Sequence, residues 1–478
     1  MRAIHLISFL VLTACATAPV AEAPEPPPPA EEETRSIEGI AAPEPDFGGL
    51  TPAEKCAGSG YHCVRVIYGT TRNRDGTGPG DQRGYGTEAE TGDPHYAAPA
   101  HLLQLPTTAR LETGEVIVTI PALHQPGDSI RRKSSDRDTV SEDERDDVFS
   151  FLRPPEPFDS YDAFASTVGA MFADANENDA LLHVHGFNVS FRNGAFRSAQ
   201  LKSDTSFEGP VFFFSWPSDD RLRAYFSDQI DGDVSARALA NYLIQIEEQL
   251  PQGGEIHVVA HSMGTRVFSQ AVALLRDSGA WEGRESGEQG PLFGAVILAA
   301  GDLDSGLARE WLGPPERLAQ SVTFLTSRND RAVALSGFFR NMFVRDPRRR
   351  KSRIGYYRPK EGPVIFPGVN VFDISYLKDR FWERFISINH STYAEDVFSL
   401  RYISQLIDDP KTPPEVLVLK HDRLRRCRRE IPGASVAYWV IGAVSGRRAC
   451  STEFESQTIR AASTVADNSS ALADETAY

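Results

Sequence analysis

The chain has 478 residues, 41% of them hydrophobic, which is ample for one large core; a single oversized domain with appendages fits that length as well as two domains do. A formal net charge of -16 argues against a nucleic-acid partner, because neutralising phosphates requires a basic face. Acidity otherwise implies only solubility and weak repulsion from anionic surfaces.

In chain order, Met1-Arg2 supplies a positive start, Ile4 to Leu12 forms a short apolar run, and Leu12-Thr13-Ala14-Cys15 places small residues directly before a cysteine. So short a run cannot cross a hydrocarbon layer of about 30 Å as a mature helix, and it reads as a signal peptide. The Leu-Thr-Ala-Cys ending resembles the bacterial lipoprotein cleavage box. That resemblance implies a signal over residues 1–15, a lipidated Cys15 and a membrane anchor, with acyl chains contributing roughly 0.8 kcal/mol per buried CH₂. An ordinary secretory peptide with an incidental cysteine is the competing reading. Ala16 follows the cysteine where an acidic residue could stand, which by the same resemblance implies the periplasmic side of a Gram-negative outer membrane.

Residues 16–55 read as a tether. The stretch from Pro19 to Gly49 holds Pro26-Pro27-Pro28-Pro29 and Glu31-Glu32-Glu33 and has no apolar periodicity. About 30 such residues, partly in polyproline II at about 3.1 Å each, would hold a folded body several nanometres from a membrane. Beyond Cys15 the cysteines are Cys56, Cys63, Cys427 and Cys450, an even number that suggests disulfides in an exported chain. Four cysteines permit three connectivities, of which the local one, Cys56 with Cys63 and Cys427 with Cys450, is preferred because it closes two short loops. No Cys-x-x-Cys occurs, so zinc or redox chemistry has little support.

From Val64 onward, short β-branched runs alternate with longer amphipathic segments. Strands are predicted over Val64–Gly69, Val116–Ile120, Leu181–His185, Val211–Ser215, Ile256–His261, Ala295–Ala299, Val322–Thr326 and Val369–Ile374. Helices are predicted over Tyr161–Ala175, Phe191–Asp204, Val234–Leu250 and Met263–Asp277. Strands apolar on both faces and separated by helices define an α/β class with a mostly parallel central sheet covered on both sides. Ligands bind beyond the carboxyl ends of strands in such sheets, so the chemistry is expected just after each run. The basic clusters Arg131-Arg132-Lys133 and Arg348-Arg349-Arg350-Lys351 are most simply solvated surface. This body is assigned to 56–408, followed by a small C-terminal appendage over 409–455 and a small, polar tail over 456–478 expected to be disordered. The apolar run Ala434–Val444 is too short for a membrane span and suits a strand or hairpin.

The run Ile256–His261 leads directly into Ser262-Met263-Gly264 and then a helix-like stretch. Ala260-His261-Ser262-Met263-Gly264 fits the nucleophile elbow, small-x-Ser-x-small, in which a sharp strand-to-helix turn lifts a serine above the sheet. Ala260 stands where the first glycine is usual, a mild intrusion of one methyl group. A serine hydroxyl needs a base and an orienting acid, and in this arrangement they follow in the order Ser, Asp or Glu, His. Asp330 follows the strand Val322–Thr326. His390, in Asn389-His390-Ser391, is the sole histidine between Ser262 and His421. Asp302 and Asp304, after Ala295–Ala299, compete with Asp330 for the acid, or simply cap nearby loop backbone. His183, His185, His257 and His261, in or at the ends of strands, read as scaffold histidines. For an oxyanion, one donor is the Met263 amide at the start of the helix, and the second is the Phe187 amide after His185-Gly186, where glycine allows the turn. Trp216 either lines an acyl pocket or packs in the core. Asn188-Val189-Ser190 matches a glycosylation sequon, which the lipoprotein signal makes irrelevant.

The segments Val66-Ile67-Tyr68-Gly69-Thr70-Thr71-Arg72, Val116–Pro121, His185-Gly186-Phe187-Asn188, Phe214-Ser215-Trp216-Pro217, Ala260–Gly264, Ser327–Asp330 and Asn389-His390-Ser391 resemble the α/β-hydrolase superfamily. More narrowly, they resemble its bacterial branch catalogued as domain of unknown function nine hundred, over about Val64 to Ile407. The resemblance implies the same catalytic residues Ser262, Asp330 and His390 and supplies no substrate. The sequence is thus expected to encode an envelope-anchored serine hydrolase acting on a small-molecule or lipid-like ester, needing no metal and no organic cofactor. An amidase or peptidase working on envelope material and a non-catalytic binding lipoprotein are the alternatives. Oligomeric state is not encoded in any of these signals.

Overall fold

A computed structural model describes residues 56, 62–74, 85–121, 124–130, 149–218, 225–279, 291, 293–341, 352–358, 362–375, 377, 390–411, 416–419, 422–430 and 437–443. All of them lie in the unit Asp46–Tyr478. Cys15, the signal, the whole tether, Asn389, Cys450, the two basic clusters and the 456–478 tail fall outside the described residues.

The strands are β1 (His62–Thr70), β2 (Glu112–Ile120), β3 (Ser150–Phe151), β4 (Glu156–Pro157), β5 (Ala180–Val184), β6 (Val211–Ser215) and β7 (Ile256–His261). They continue with β8 (Phe293–Ala299), β9 (Ala319–Thr326), β10 (Val369–Asp373), β11 (Val416–Leu419), β12 (Asp422–Glu430) and β13 (Ala437–Ala443). Among the helices, α1 (Tyr161–Asp174), α2 (Phe191–Thr205), α3 (Tyr225–Gln249) and α4 (Gly264–Asp277) separate the earlier strands. Further along come α5 (Ser305–Leu312), α6 (Pro315–Leu318), α7 (Arg331–Asn341), α8 (Thr392–Glu395) and α9 (Val397–Asp408). All strands join one sheet in the order β11-β12-β13-β10-β9-β8-β7-β5-β6-β1-β2-β3, with β4 paired to β2. From β1 through β6, β5, β7, β8, β9 and β10 to β13 every pairing is parallel, and both ends of the sheet are antiparallel.

Alternation along each central strand divides the core in two. Val258 and Ala260 face the side covered by α1, α3, α4 and α5, whereas Val259 faces α2 and α9. Phe212 and Phe214 likewise join the first cluster and Phe213 the second. Each fully buried side chain of this kind contributes about 1.5–3 kcal/mol, which is why strands buried on both faces read as unbroken apolar runs. Helix starts carry their own caps: Ser190 Oγ accepts from the Asn193 amide at α2, and Asp396 Oδ1 accepts from the Phe398 and Ser399 amides at α9.

The feature that positions the site is a reversal of strand order. The chain runs from β5 through α2 to β6 on one side, then through α3 across to β7 on the other side of β5. The loops leaving β5 and β7 therefore diverge at their carboxyl ends and open a crevice between them. At the far side, β13 lies parallel to β10, with Asp373 opposite Val440, so strands of the region read as a C-terminal appendage extend the same sheet.

Candidate active site

The elbow is built at the β7–α4 junction. The Ser262 amide donates to the Ala299 carbonyl at 2.9 Å, continuing the parallel ladder one residue past β7. The Ser262 carbonyl then accepts from the Thr265 amide, the Thr265 hydroxyl and the Asp302 amide, which turns the chain into α4. To satisfy both, Ser262 adopts φ +53°, a left-handed conformation that costs a non-glycine residue of order 1–3 kcal/mol. Two glycines make the junction possible. A Cβ on Gly264 would stand 2.3 Å from the His185 carbonyl oxygen, and one on Gly186 would stand 2.7 Å from Ser262 Cβ. The small residues flanking the serine are thus required by the close approach of α4 to the end of β5.

The expected oxyanion donors lie on the two sides of this crevice. Among the described residues, neither the Phe187 nor the Met263 amide donates to another protein group, whereas the adjacent Asn188 amide donates to Ser218 Oγ at 2.7 Å. Met263 is the N-cap of α4, where free amides and the helix dipole favour negative charge.

Asp330 sits in the turn between β9 and α7, 1% exposed. Its Oδ1 accepts from the Val333 amide at 3.0 Å, and its Oδ2 lies 2.8 Å from His390 Nδ1. The turn is braced from β10: Ser375 Oγ accepts from the Arg328 amide at 2.9 Å, and Asn329 Nδ2 donates to the Ser375 carbonyl at 2.8 Å. Ser375 in turn donates through both its amide and its hydroxyl to Asp373, which also accepts from the Tyr357 hydroxyl at 2.6 Å. Burial pushes the Asp373 carboxyl upward from its ordinary value, against the pull of these donors.

His390 is tied to His261, the residue directly before the serine. His261 Nε2 donates to the His390 carbonyl at 3.0 Å, the two rings stand 4.5 Å apart, and His261 stacks on Tyr393 at 4.6 Å. Burial lowers the His390 pKa, but the charge and hydrogen bond of Asp330, with a smaller push from Asp302, leave it raised above 6.5. The side chain stays 19% exposed.

The rival carboxylates are engaged elsewhere. Asp304 caps α5, accepting from the Gly306 and Leu307 amides. Asp302 pairs with Arg353 at 3.1 Å and accepts from the Tyr225 hydroxyl at 2.7 Å and from Ser336. The strand histidines are all hydrogen-bonded. His183 Nδ1 meets Ser198 Oγ at 2.8 Å, His185 Nδ1 donates to the Gly186 carbonyl, and His257 bridges Asp179 and the Ala295 amide. Burial lowers His183 to about 3 and takes His185 and His261 well below the ordinary range, so all three are neutral. Trp216 is fully buried, stacked on His185 and donating to its carbonyl, which is core packing. Cys56 is disulfide-bonded to Cys63, and Cys427 lies on β12 opposite Val440. Among the described residues no group of three or more His, Cys, Asp or Glu could hold a metal ion.

The sequence reading missed the Asp373–Ser375 brace and the peg from His261 to the base. The signal for each was a polar residue closing a buried strand.

The profile of one protein family, described as alpha/beta hydrolase of unknown function (DUF900), matches residues 160–406. The chain belongs to this family. The matched region runs from the start of α1 into the last turn of α9 and contains every side chain of the crevice discussed above. This DUF900 member is thus a hydrolase of the α/β fold, and its family description leaves the reaction open. Among solved structures, a metagenomic carboxyl esterase is similar with 15% identity and a TM-score of 0.25, covering 48% of this chain and 76% of that one. No curated protein matches the chain.

Proposed function

We propose that this DUF900 protein is a serine hydrolase that cleaves carboxylic esters with a Ser262–His390–Asp330 triad. The observation that carries the reading is the 2.8 Å contact of His390 Nδ1 with Asp330 Oδ2, with the His390 carbonyl tied to His261 directly before a serine at φ +53° on a strand-to-helix turn. With Nδ1 donating to Asp330, His390 Nε2 is the unprotonated nitrogen and takes the Ser262 proton as Oγ attacks the carbonyl. Asp330 fixes that tautomer and stabilises the imidazolium. The Phe187 and Met263 amides, uncommitted among the described residues, receive the oxyanion, a role in which a single donor is worth about 10²–10³ in rate. His390 then protonates the leaving oxygen, and water repeats the sequence on the acyl-enzyme. Esters are favoured over amides because an alkoxide leaving group asks less of that protonation. The leader motif supports a site held at the bacterial envelope by lipid on Cys15.

A fluorophosphonate probe tests the reading. Labelling of the wild type and none of Ser262→Ala is the expected result, with kcat of the variant lower by on the order of 10⁴–10⁶ and an unchanged circular dichroism spectrum. Folded wild type that takes no label and turns over neither short esters, long esters nor peptide amides would favour a binding protein. Amide turnover exceeding ester turnover would instead assign an amidase.

A further inference from the structure

Arg72 closes the segment Gly69-Thr70-Thr71-Arg72 just beyond β1, with β6 between it and the loop that leaves β5. It is 2% exposed. Taking a guanidinium out of water is costly unless its N–H groups are matched, and here they are. Nε donates to Ser215 Oγ at 2.8 Å, Nη1 to the Gly86 carbonyl at 2.8 Å, and Nη2 to the Val189 carbonyl at 2.7 Å. Nη2 also lies 3.5 Å from His185 Nε2. Because His185 Nδ1 donates to the Gly186 carbonyl, the nitrogen facing Arg72 presents its lone pair. Trp216 stacks on the same imidazole, 5.2 Å from the His185 ring and 6° from parallel. Three independent ties thus fall on a five-residue loop: Trp216 Nε1 on the His185 carbonyl, Ser218 Oγ on the Asn188 amide, and Arg72 on Val189. They bracket Phe187, whose own amide is not among them.

We propose that Arg72 is a positioning residue that fixes the 185–189 loop, so that the Phe187 amide points at the developing oxyanion. The role rests on the reading of Phe187 as an oxyanion donor, and Arg72 acts through that amide without touching substrate. A rigid planar fork reaching three acceptors in different directions is something lysine cannot reproduce.

The test compares full-length wild type with Arg72→Met, Arg72→Lys and Ser215→Ala, the last removing one acceptor of the fork with little risk to folding. Amide hydrogen exchange reports the loop directly. In Arg72→Met, exchange within residues 185–190 should rise about tenfold or more, while β7 and α4 stay protected. Turnover should fall in kcat by on the order of 10² with KM within about threefold, since the lost donor acts only in the transition state. Ser215→Ala should lie between wild type and Arg72→Met on both measures, and Arg72→Lys should not restore wild-type kcat. Unchanged exchange at 185–190, or loosened exchange with undiminished kcat, overturns the proposal. Wild type that fails to label at Ser262 removes the reading of the site and the proposal with it. Labelled wild type with an unaltered Arg72→Met removes the proposal alone.

Discussion

Ser262 carries a backbone conformation that its side chain disfavours, and the fold keeps it because the hydroxyl must stand clear of the sheet. Ser262→Gly should therefore abolish turnover yet raise the unfolding free energy by about 1 kcal/mol, measured by urea denaturation. Glycine's greater freedom in the unfolded chain reduces that gain without cancelling it. At His390 the sign of the pKa shift sets the pH profile. The base works only when neutral, and its pKa is raised, so kcat/KM should climb with pH through a midpoint above 6.5. Asp330→Asn removes the two larger contributions that raise it and leaves burial opposed only by the smaller push of Asp302, so the residual activity should titrate at lower pH, with kcat reduced about 10⁴-fold. Asp302→Asn should behave differently. It leaves Arg353 without its buried ion-pair partner, an effect of about 3–5 kcal/mol on stability, and its loss of kcat should be smaller than that of Asp330→Asn. Near-full activity in Asp330→Asn together with loss in Asp302→Asn would reverse the assignment of the acid. Asp330 could be picked out from sequence by its place after a buried strand, but its contact with His390 could not. That contact depends on how Ser375, just after β10, braces the turn, and residues 327–330 hold one side of the brace, Asn329, without showing its distant partner.

Elements were legible where burial leaves a repeating signature. β6 and β7 run over the predicted residues, and the other parallel strands from β1 to β10 differ only at their ends, because residues facing two cores leave few polar interruptions. α3 begins at Tyr225 and not near Val234, since its first turns hold Asp228, Asp231, Gly232 and Asp233 and look like loop. Gly232 serves packing: a Cβ there would approach Val267 to 3.1 Å and reach the ring of Trp216. β12 escaped notice for the opposite reason, with five arginines in Asp422–Glu430 and no apolar alternation. The helix α9 also went unread although Asp396 supplies an N-cap signal. Close approach of elements yields its own test. Gly264→Ala puts a methyl against the main chain of β5, where no side chain can yield, so α4 must retreat. Stability should drop by about 1–3 kcal/mol in thermal denaturation, and kcat should fall with it as Met263 shifts from the crevice.

For the molecule as a whole, the crevice is framed by strands near the middle of the sheet, while the edge at β10 is covered by β13. A chain ending at residue 411 would lose β11 to β13 and leave β10 with an unpaired edge. Because β10 leads into Asp373 and Ser375, which brace the Asp330 turn, such a truncation should lower the melting temperature, promote self-association seen by light scattering, and weaken turnover as well. The proposed attachment through lipid on Cys15 has its own test, separate from the fold. Cys15→Ser should abolish incorporation of labelled palmitate and release the protein from membranes, while purified enzyme keeps its kcat.

The grip of His261 on position 390 is taken on the main chain, not on the imidazole. Any amino acid at 390 would offer the same carbonyl, so the loop keeps its anchorage whichever side chain it bears. A lineage could consequently trade away turnover in a single step and retain an intact architecture, and a relative lacking this one imidazole would be a silent homologue ready for recruitment to another task.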